Sequence, residues 1–251
     1  MTTLTDSATG LREPALRGQT VVLIGGSSGI GLETARSARA EGAQVVLTGR
    51  DPERLGRAAA EVGAQRHAAF DAHDPDRLDA FFRSLPAPVD HVMVTAGSPY
   101  YAPLPDMDIA DAGRYVADEV RMKLDVARHA GSTVRAGGTL LFMGGTGGRR
   151  PAVGISVTAL LTLGLPALTA NLALELAPVR VNLIAAGFVD TPLSASLLGG
   201  DLEKRREHLR TTLPIRRVVG PEDVAALAVH VMANTALTGA TFDIDGGQQI
   251  I

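Results

Sequence analysis

The sequence predicts an α/β fold: a single Rossmann-type domain in which a doubly wound parallel sheet carries helices on both faces. Three observations predict it. Short apolar runs alternate with helix-forming stretches along nearly the whole chain, the order of a parallel sheet with crossover helices. The first such run, Thr20-Val21-Val22-Leu23-Ile24, breaks into the glycine turn Gly25-Gly26-Ser27-Ser28-Gly29-Ile30-Gly31 and then into the helix former Leu32–Ala40. The 251 residues suffice for one full core, and no linker or repeat divides them.

In order, strands are expected over 20–25, 44–49, 66–70, 90–95, 138–143, 180–185 and 240–244. Helices are expected over 29–41, 52–62, 75–84, 108–134, 156–177, 201–211 and 221–233. The Gly42-Ala43 turn ends the first helix. Asp51-Pro52 opens the second with a cap and a first-turn proline, and Asp74-Pro75 and Gly220-Pro221-Glu222-Asp223 repeat the device. Residues 1–17 are polar, lack the apolar core of a signal peptide, and read as a flexible arm before a domain over 18–251.

Composition narrows the function. A net charge of −3 gives no electrostatic case for nucleic acid. The absence of cysteine removes disulfides, thiolate metal sites and a cysteine nucleophile. The six histidines are scattered, without metal-ligand spacing, so no metal is expected. Ala152–Leu174 carries no charge and has the length of a membrane span, but Pro166 and Asn171 interrupt it. A helix packed in the core and against a partner subunit explains it better. A cytoplasmic protein without membrane attachment is expected.

The glycine turn points to a dinucleotide. Strand, turn and helix set bare backbone N–H groups at a positive helix end, where a pyrophosphate docks, and side chains at Gly25, Gly29 or Gly31 would obstruct that approach. Ser27, Ser28 and Ile30 belong to the same cradle. Arg50 follows the second strand where an acid would grip the ribose 2′-hydroxyl of NAD, and a cation there suits the extra phosphate of NADP. It also reads as an ordinary surface arginine. Asp71, with Ala72, ends the third strand, where the carboxylate can accept from an adenine amino group or simply cap a turn. Ala96 and Gly97 end the fourth strand with side chains small enough for a flat ligand to lie against backbone, although a tight turn needs the same residues.

From about Gly18 to Gly247 the chain resembles the short-chain dehydrogenase/reductase family. The phosphate turn is similar to the family's TGxxxGxG, with Ile24 in place of threonine, and Thr95-Ala96-Gly97 to its NNAG. Glu175–Asn182 followed by Ala186-Gly187-Phe188-Val189-Asp190-Thr191-Pro192 resembles the strand-six region, with Ala186 for the usual proline. Thr238-Gly239 and Asp245-Gly246-Gly247 resemble the C-terminal TG…DGG. The resemblance implies that Gly187, Val189 and Thr191 clasp the nicotinamide carboxamide. It implies that about 193–213 forms a substrate lid, and that the helices over 108–134 and 156–174 build a homodimer or homotetramer.

The family's chemistry also needs a serine after strand five and a Tyr-x-x-x-Lys on the next helix. Counting back from Glu175 places Thr158 and Thr162 at the tyrosine and lysine positions, and strand five runs into Gly144 at the serine's place. The slip of one residue changes nothing, because no tyrosine or lysine lies between 124 and 203. Arg121 is the expected replacement for the family's helix-four asparagine. Substitutes for the lost acid are Tyr100, Tyr101, Thr146, Arg149, Arg150, Glu119, Arg121 and Lys123, each with an ordinary structural account, so the catalytic residues stay unassigned.

Two functions follow. One is NADP(H)-dependent hydride transfer to a small molecule already electrophilic enough to need no strong acid, such as an iminium ion, an enone or an activated carbonyl. The other is an NADP(H)-binding pseudoenzyme that senses redox state or stabilises a partner. Non-redox chemistry such as dehydration finds no acid–base pair to support it.

Overall fold

The structure, a computed structural model, describes residues 13–251. Seven strands form one parallel sheet: β1 (Thr20–Ile24), β2 (Gln44–Gly49), β3 (Arg66–Ala69), β4 (Val89–Val94), β5 (Val134–Gly145), β6 (Arg180–Ala186) and β7 (Thr241–Ile244). Their spatial order is β3-β2-β1-β4-β5-β6-β7, so the sheet reverses direction of growth between β1 and β4, the switch point where such sheets open a ligand crevice.

Among the described residues eight α-helices accompany them: α1 (Gly29–Ala40), α2 (Pro52–Val62), α3 (Pro75–Arg83), α4 (Ile109–Thr133), α5 (Ser156–Glu175), α6 (Pro192–Leu198), α7 (Leu202–Thr212) and α8 (Pro221–Ala233). Alternation along β1 decides the layers. Val21 and Leu23 pack with α1, α2 and α8, whereas Val22 and Ile24 pack with α3, α4 and α5. The helix starts read from sequence hold in detail. Asp51 Oδ1 accepts from Arg54 N at 3.0 Å, Asp74 accepts from Asp76 N and Arg77 N, and Asp223 reaches back to Gly220 N at 3.0 Å.

Three expectations need correction. Residues 1–12 of the expected arm lie outside the described residues, but its end is packed: Leu16 is fully buried and its N–H donates to Glu41 O. Strand β5 begins at Val134 rather than 138, because a bulge at Gly137-Gly138 carries the pairing past the glycines that looked like a boundary. Helix α6 went unrecognised, since seven residues are too few for a periodic signal; Thr191 starts it as a cap, accepting from Ser194 N at 3.3 Å.

The chain itself covers only part of the apolar helix α5. It is long and apolar enough to cross a membrane, yet only 22% of its most apolar stretch is buried, and Leu165, Thr169 and Leu172 are the fully covered residues of the helix. Leu160, Leu163 and Leu174 are exposed.

Candidate functional site

The phosphate turn sits at the carboxyl end of β1. Gly25 has φ +105°, and a Cβ there would lie 2.6 Å from Ala96 N, so β1 and β4 close on each other only with glycine at this point. A Cβ on Gly31 would stand 2.6 Å from Thr95 Oγ1 and press on the Gly25 carbonyl, so α1 meets its strand only through a bare backbone. Thr95 Oγ1 stitches the turn by donating to Gly25 O at 2.9 Å, and Thr48 Oγ1 accepts from Gly25 N at 3.2 Å. Ser28 precedes α1 with extended backbone and no capping bond from its side chain. The first amides of α1, beginning at Gly29, have no intrahelical acceptor. Ser27 is buried against Gly49, and Ile30 packs on the core. A cradle so shaped fits a pyrophosphate.

The loop after β6 closes on this turn. A Cβ on Gly29 would lie 3.4 Å from Thr191 Cβ, so residues 162 positions apart face one cleft. Gly187 is held tightly by Asp245 and Gln248, and Gln248 Oε1 accepts from Phe188 N at 3.0 Å. Val189 is buried and bridged to Val219, which leaves only its backbone for a ligand. Asp190 is bound through both oxygens by Arg206 of α7 at 2.8 and 2.9 Å.

At the other end, Arg50 is exposed and makes no hydrogen bond or ion pair with the described residues. Ala72 is buried beneath the β3 end, so its backbone alone is available. Asp71 is not a free acid: its Oδ1 accepts from His73 N and from His73 Nδ1, both at 3.0 Å. His73 Nε2 then meets Glu119 Oε1 at 3.0 Å, and Lys123 Nζ lies 2.5 Å from Glu119 Oε2. Glu119 is only 6% exposed, and a Cβ on Gly97 would touch its carboxylate at 3.0 Å.

Burial works against ionising Glu119, but His73 and Lys123 outweigh it and hold its carboxyl below the ordinary range. For Asp71 burial is likewise outweighed, by the His73 amide and ring, and its pKa is lowered. The Glu119 carboxylate, opposed by burial and helped by Asp71, raises the His73 imidazole above its ordinary value. Sequence reasoning missed this chain of four groups. The Glu119-x-x-x-Lys123 spacing was visible but reads equally as a solvated helix pair.

The family model described as enoyl-(acyl carrier protein) reductase matches residues 25–249. The chain belongs to the short-chain dehydrogenase/reductase family. It is 29% identical to the short-chain dehydrogenase/reductase ATR9 of Stachybotrys chlorohalonatus, over 93% of this chain and 98% of that protein. It is 32% identical to the galactitol 2-dehydrogenase (L-tagatose-forming) of Cereibacter sphaeroides, over 94% and 96%. The structure of the MalC reductase/Diels-Alderase from Malbranchea aurantiaca superposes with a TM-score of 0.88, covering 95% and 99% at 24% identity. The single α/β domain and its sheet are those of this oxidoreductase family, whose members bind nicotinamide cofactors.

Against the short-chain dehydrogenase/reductase layout, two sequence assignments move. A Cβ at Gly144 would point into the core against Leu165 and Leu183, whereas one at Gly145 would face Thr162 at 3.5 Å. Gly145, not Gly144, therefore occupies the cleft-facing place after strand five, and it too lacks a hydroxyl. On α4 the inward polar side chain is Glu119; Arg121 is exposed and donates to His73 O at 3.0 Å. The helix phase decides this, because residues 119 and 121 lie on different faces.

The threonines of α5 and the polar side chains around the cleft make contacts of their own. Thr158 Oγ1 donates to Tyr100 O at 2.6 Å and accepts from Tyr100 N at 3.0 Å. Thr162 Oγ1 donates back to Thr158 O at 2.9 Å within α5. Thr146 is fully buried, and its N–H donates to Ala186 O at 2.9 Å. Arg149 is ion-paired with Asp243 (Nη2 to Oδ1, 2.7 Å), and Arg150 donates to Gln248 O. Tyr115 donates to Ser98 O at 2.8 Å, and burial, helped by the Glu119 charge, pushes its phenol above the ordinary range. Burial raises Tyr101 as well, and Tyr100 donates to Asp108 O at 3.4 Å.

Proposed function

We propose that the chain is an NADP(H)-dependent oxidoreductase with an atypical site, delivering hydride to a small molecule that is already activated: an iminium ion, an enone or an activated carbonyl. The observation that carries this reading is Thr158. Its hydroxyl is committed in both directions to the Tyr100 backbone, so the place of the family's proton donor holds a structural clasp beside an intact nucleotide cradle. A threonine hydroxyl is in any case far too weak an acid to replace an activated phenol.

The turn Gly25–Gly31 would hold the pyrophosphate, Arg50 the 2′-phosphate, Asp71 the adenine, Ala96 and Gly97 the ribose side, and Gly187, Val189 and Thr191 the carboxamide. Bound there, the nicotinamide supplies the hydride. The chain's own residues orient it and exclude water. An iminium acceptor needs no proton; an enone or a carbonyl takes one from water or from its own substituents. The segment 193–213, built from α6 and α7 and tied to the β6 loop by Asp190–Arg206, is read as the substrate lid, with Leu193 and Leu197 exposed to an incoming ligand.

Titration of the purified chain with NADPH and NADH, followed by a spectrophotometric acceptor screen, tests the reading. NADPH is expected to bind more tightly than NADH, and Arg50→Ala to weaken NADPH about tenfold while leaving NADH unchanged. Turnover is expected with iminium or enone acceptors and little with simple ketones. Tight NADPH binding without turnover on any acceptor would instead favour the pseudoenzyme, for which the clasped Thr158 is equally the motivating observation.

The same reading includes a homodimer or homotetramer in the cytoplasm. Its support is the exposed apolar surface of α5 together with Val120 and Leu124 of α4. A monomeric mass by light scattering at micromolar concentration would remove the oligomer from it.

A further inference from the structure

His73 stands between two carboxylates. Its Nδ1 meets Asp71 Oδ1 and its Nε2 meets Glu119 Oε1, both at 3.0 Å. A neutral imidazole has one N–H and one lone pair, so it can satisfy only one of these acceptors and would turn its lone pair on the other. The geometry therefore calls for the doubly protonated ring, which ties the β3–α3 loop to the buried carboxylate under Gly97.

Charge balance points the same way. Asp71 and Glu119 are two anions, and His73 and Lys123 are two cations, so the protonated chain is neutral. Loss of the ring proton leaves one net negative charge beside a site that must receive an anionic dinucleotide. The other charges facing the ring are accounted for. On its own loop Asp74 is occupied in capping α3. From α4, Arg121 donates to the His73 carbonyl and is paired with Asp118 at 3.1 Å. Arg50, at the end of β2, pulls on Asp71 through space, and Tyr115 lies in the field of Glu119. None of these supplies a second donor to either carboxylate oxygen that His73 holds.

We propose that His73 is a positioning residue of the nucleotide site, an imidazolium clamp between Asp71 and Glu119 whose deprotonation loosens the adenine end and weakens dinucleotide binding as pH rises. Asp71 Oδ1 is fixed by both the amide and the ring of His73, while Oδ2 accepts no hydrogen bond from the described residues and stays available to a ligand. Releasing the ring frees the acid to rotate. The inference rests on the cofactor reading of this cleft.

The linkage sign is definite. A histidine whose folded pKa is raised contributes stability that is whole below its unfolded value and is lost as pH climbs through the raised one. The ligand-free protein should therefore lose melting temperature over the same interval in which affinity falls, and His73→Gln should show neither loss.

The test uses the full chain with NADPH in calorimetric titrations from about pH 7 to pH 9.5, beside NMR titration of the His73 ring in the ligand-free protein. The wild type is expected to bind about tenfold more weakly at the alkaline end, within the usual range of coupling between sites. His73→Gln is expected to bind at the weaker level throughout, with a flat profile, and the wild-type ring is expected to titrate above its ordinary value. A flat wild-type affinity, or a ring that titrates at its ordinary value, overturns the clamp while leaving the cofactor reading intact. No NADPH binding at any pH, with the ring still titrating high, overturns the cofactor reading and this proposal with it. The ring titration and the wild-type profile need no variant, so they decide the matter even if His73→Gln fails to fold.

Discussion

Gly31→Ala is expected to weaken NADPH binding by at least about a hundredfold while costing the fold about 2 kcal/mol. The added Cβ would stand 2.6 Å from Thr95 Oγ1 and closer still to the Gly25 carbonyl. Rotating Thr95 relieves only the first of these contacts, because the second is backbone. Strand β1 and helix α1 must then separate by roughly an ångström, an overpacking cost of a kind that usually runs to a few kcal/mol. The binding loss comes from the same displacement, since it moves the N-terminal amides of α1 relative to the turn that completes the cradle. Calorimetry with NADPH and a urea denaturation curve measure the two effects separately. Unchanged affinity in a folded Gly31→Ala protein would show that the pyrophosphate does not sit at this turn.

The second large effect is expected at Arg180, where Arg180→Met should cost about 4 kcal/mol. Arg180 is 6% exposed, and its guanidinium donates to five backbone carbonyls. Nη1 serves Val231, Asn234 and Leu237, Nη2 serves Met232, and Nε serves Gly137, at 2.8 to 3.1 Å. Val231 and Met232 are in the last turn of α8, whose carbonyls have no partner within the helix, so the cation completes that terminus. Burial lowers the guanidinium pKa, with the Arg135 charge adding to it, but a guanidinium starts so high that it stays charged. Methionine matches much of the volume and strands the carbonyls. Functional consequences follow through β7, whose C-terminal extension places Gln248 on Phe188 N. Chemical denaturation of the two proteins provides the comparison, and a loss below about 1 kcal/mol would mean that water replaces the guanidinium freely.

Most of the sheet and the glycine turn after β1 were legible because their signals are local. Apolar runs such as Val45–Leu47 identify buried parallel strands, and Gly25–Gly31 carries its own steric requirement. Arg50 and Asp71 were placed by counting from strand ends. The partners of Asp71 were not: that Asp71 is held by His73, and His73 by Glu119, joins residues 46 positions apart across two elements. Gly144 and Gly145 are identical in sequence, and only the direction of a strand's Cβ tells which one faces the cleft. Arg121 and Glu119 posed the same problem on a helix, where two residues turn the side chain to another face. An apolar helix such as α5 likewise gives no sign of which of its faces the domain itself covers.

By itself the amino-acid sequence determined the layered α/β architecture, the glycine turn between β1 and α1, and the absence of tyrosine and lysine from α5. These are properties of residue type and short-range spacing, and they do not depend on how distant segments meet. The tertiary structure alone decided that Thr158 is spent on the Tyr100 backbone, that Thr191 closes on Gly29, and that four charged groups form one chain beneath Gly97. Those contacts arise where loops at the strand ends converge, and the energy of a buried charge or a committed hydroxyl depends on neighbours that no local pattern encodes.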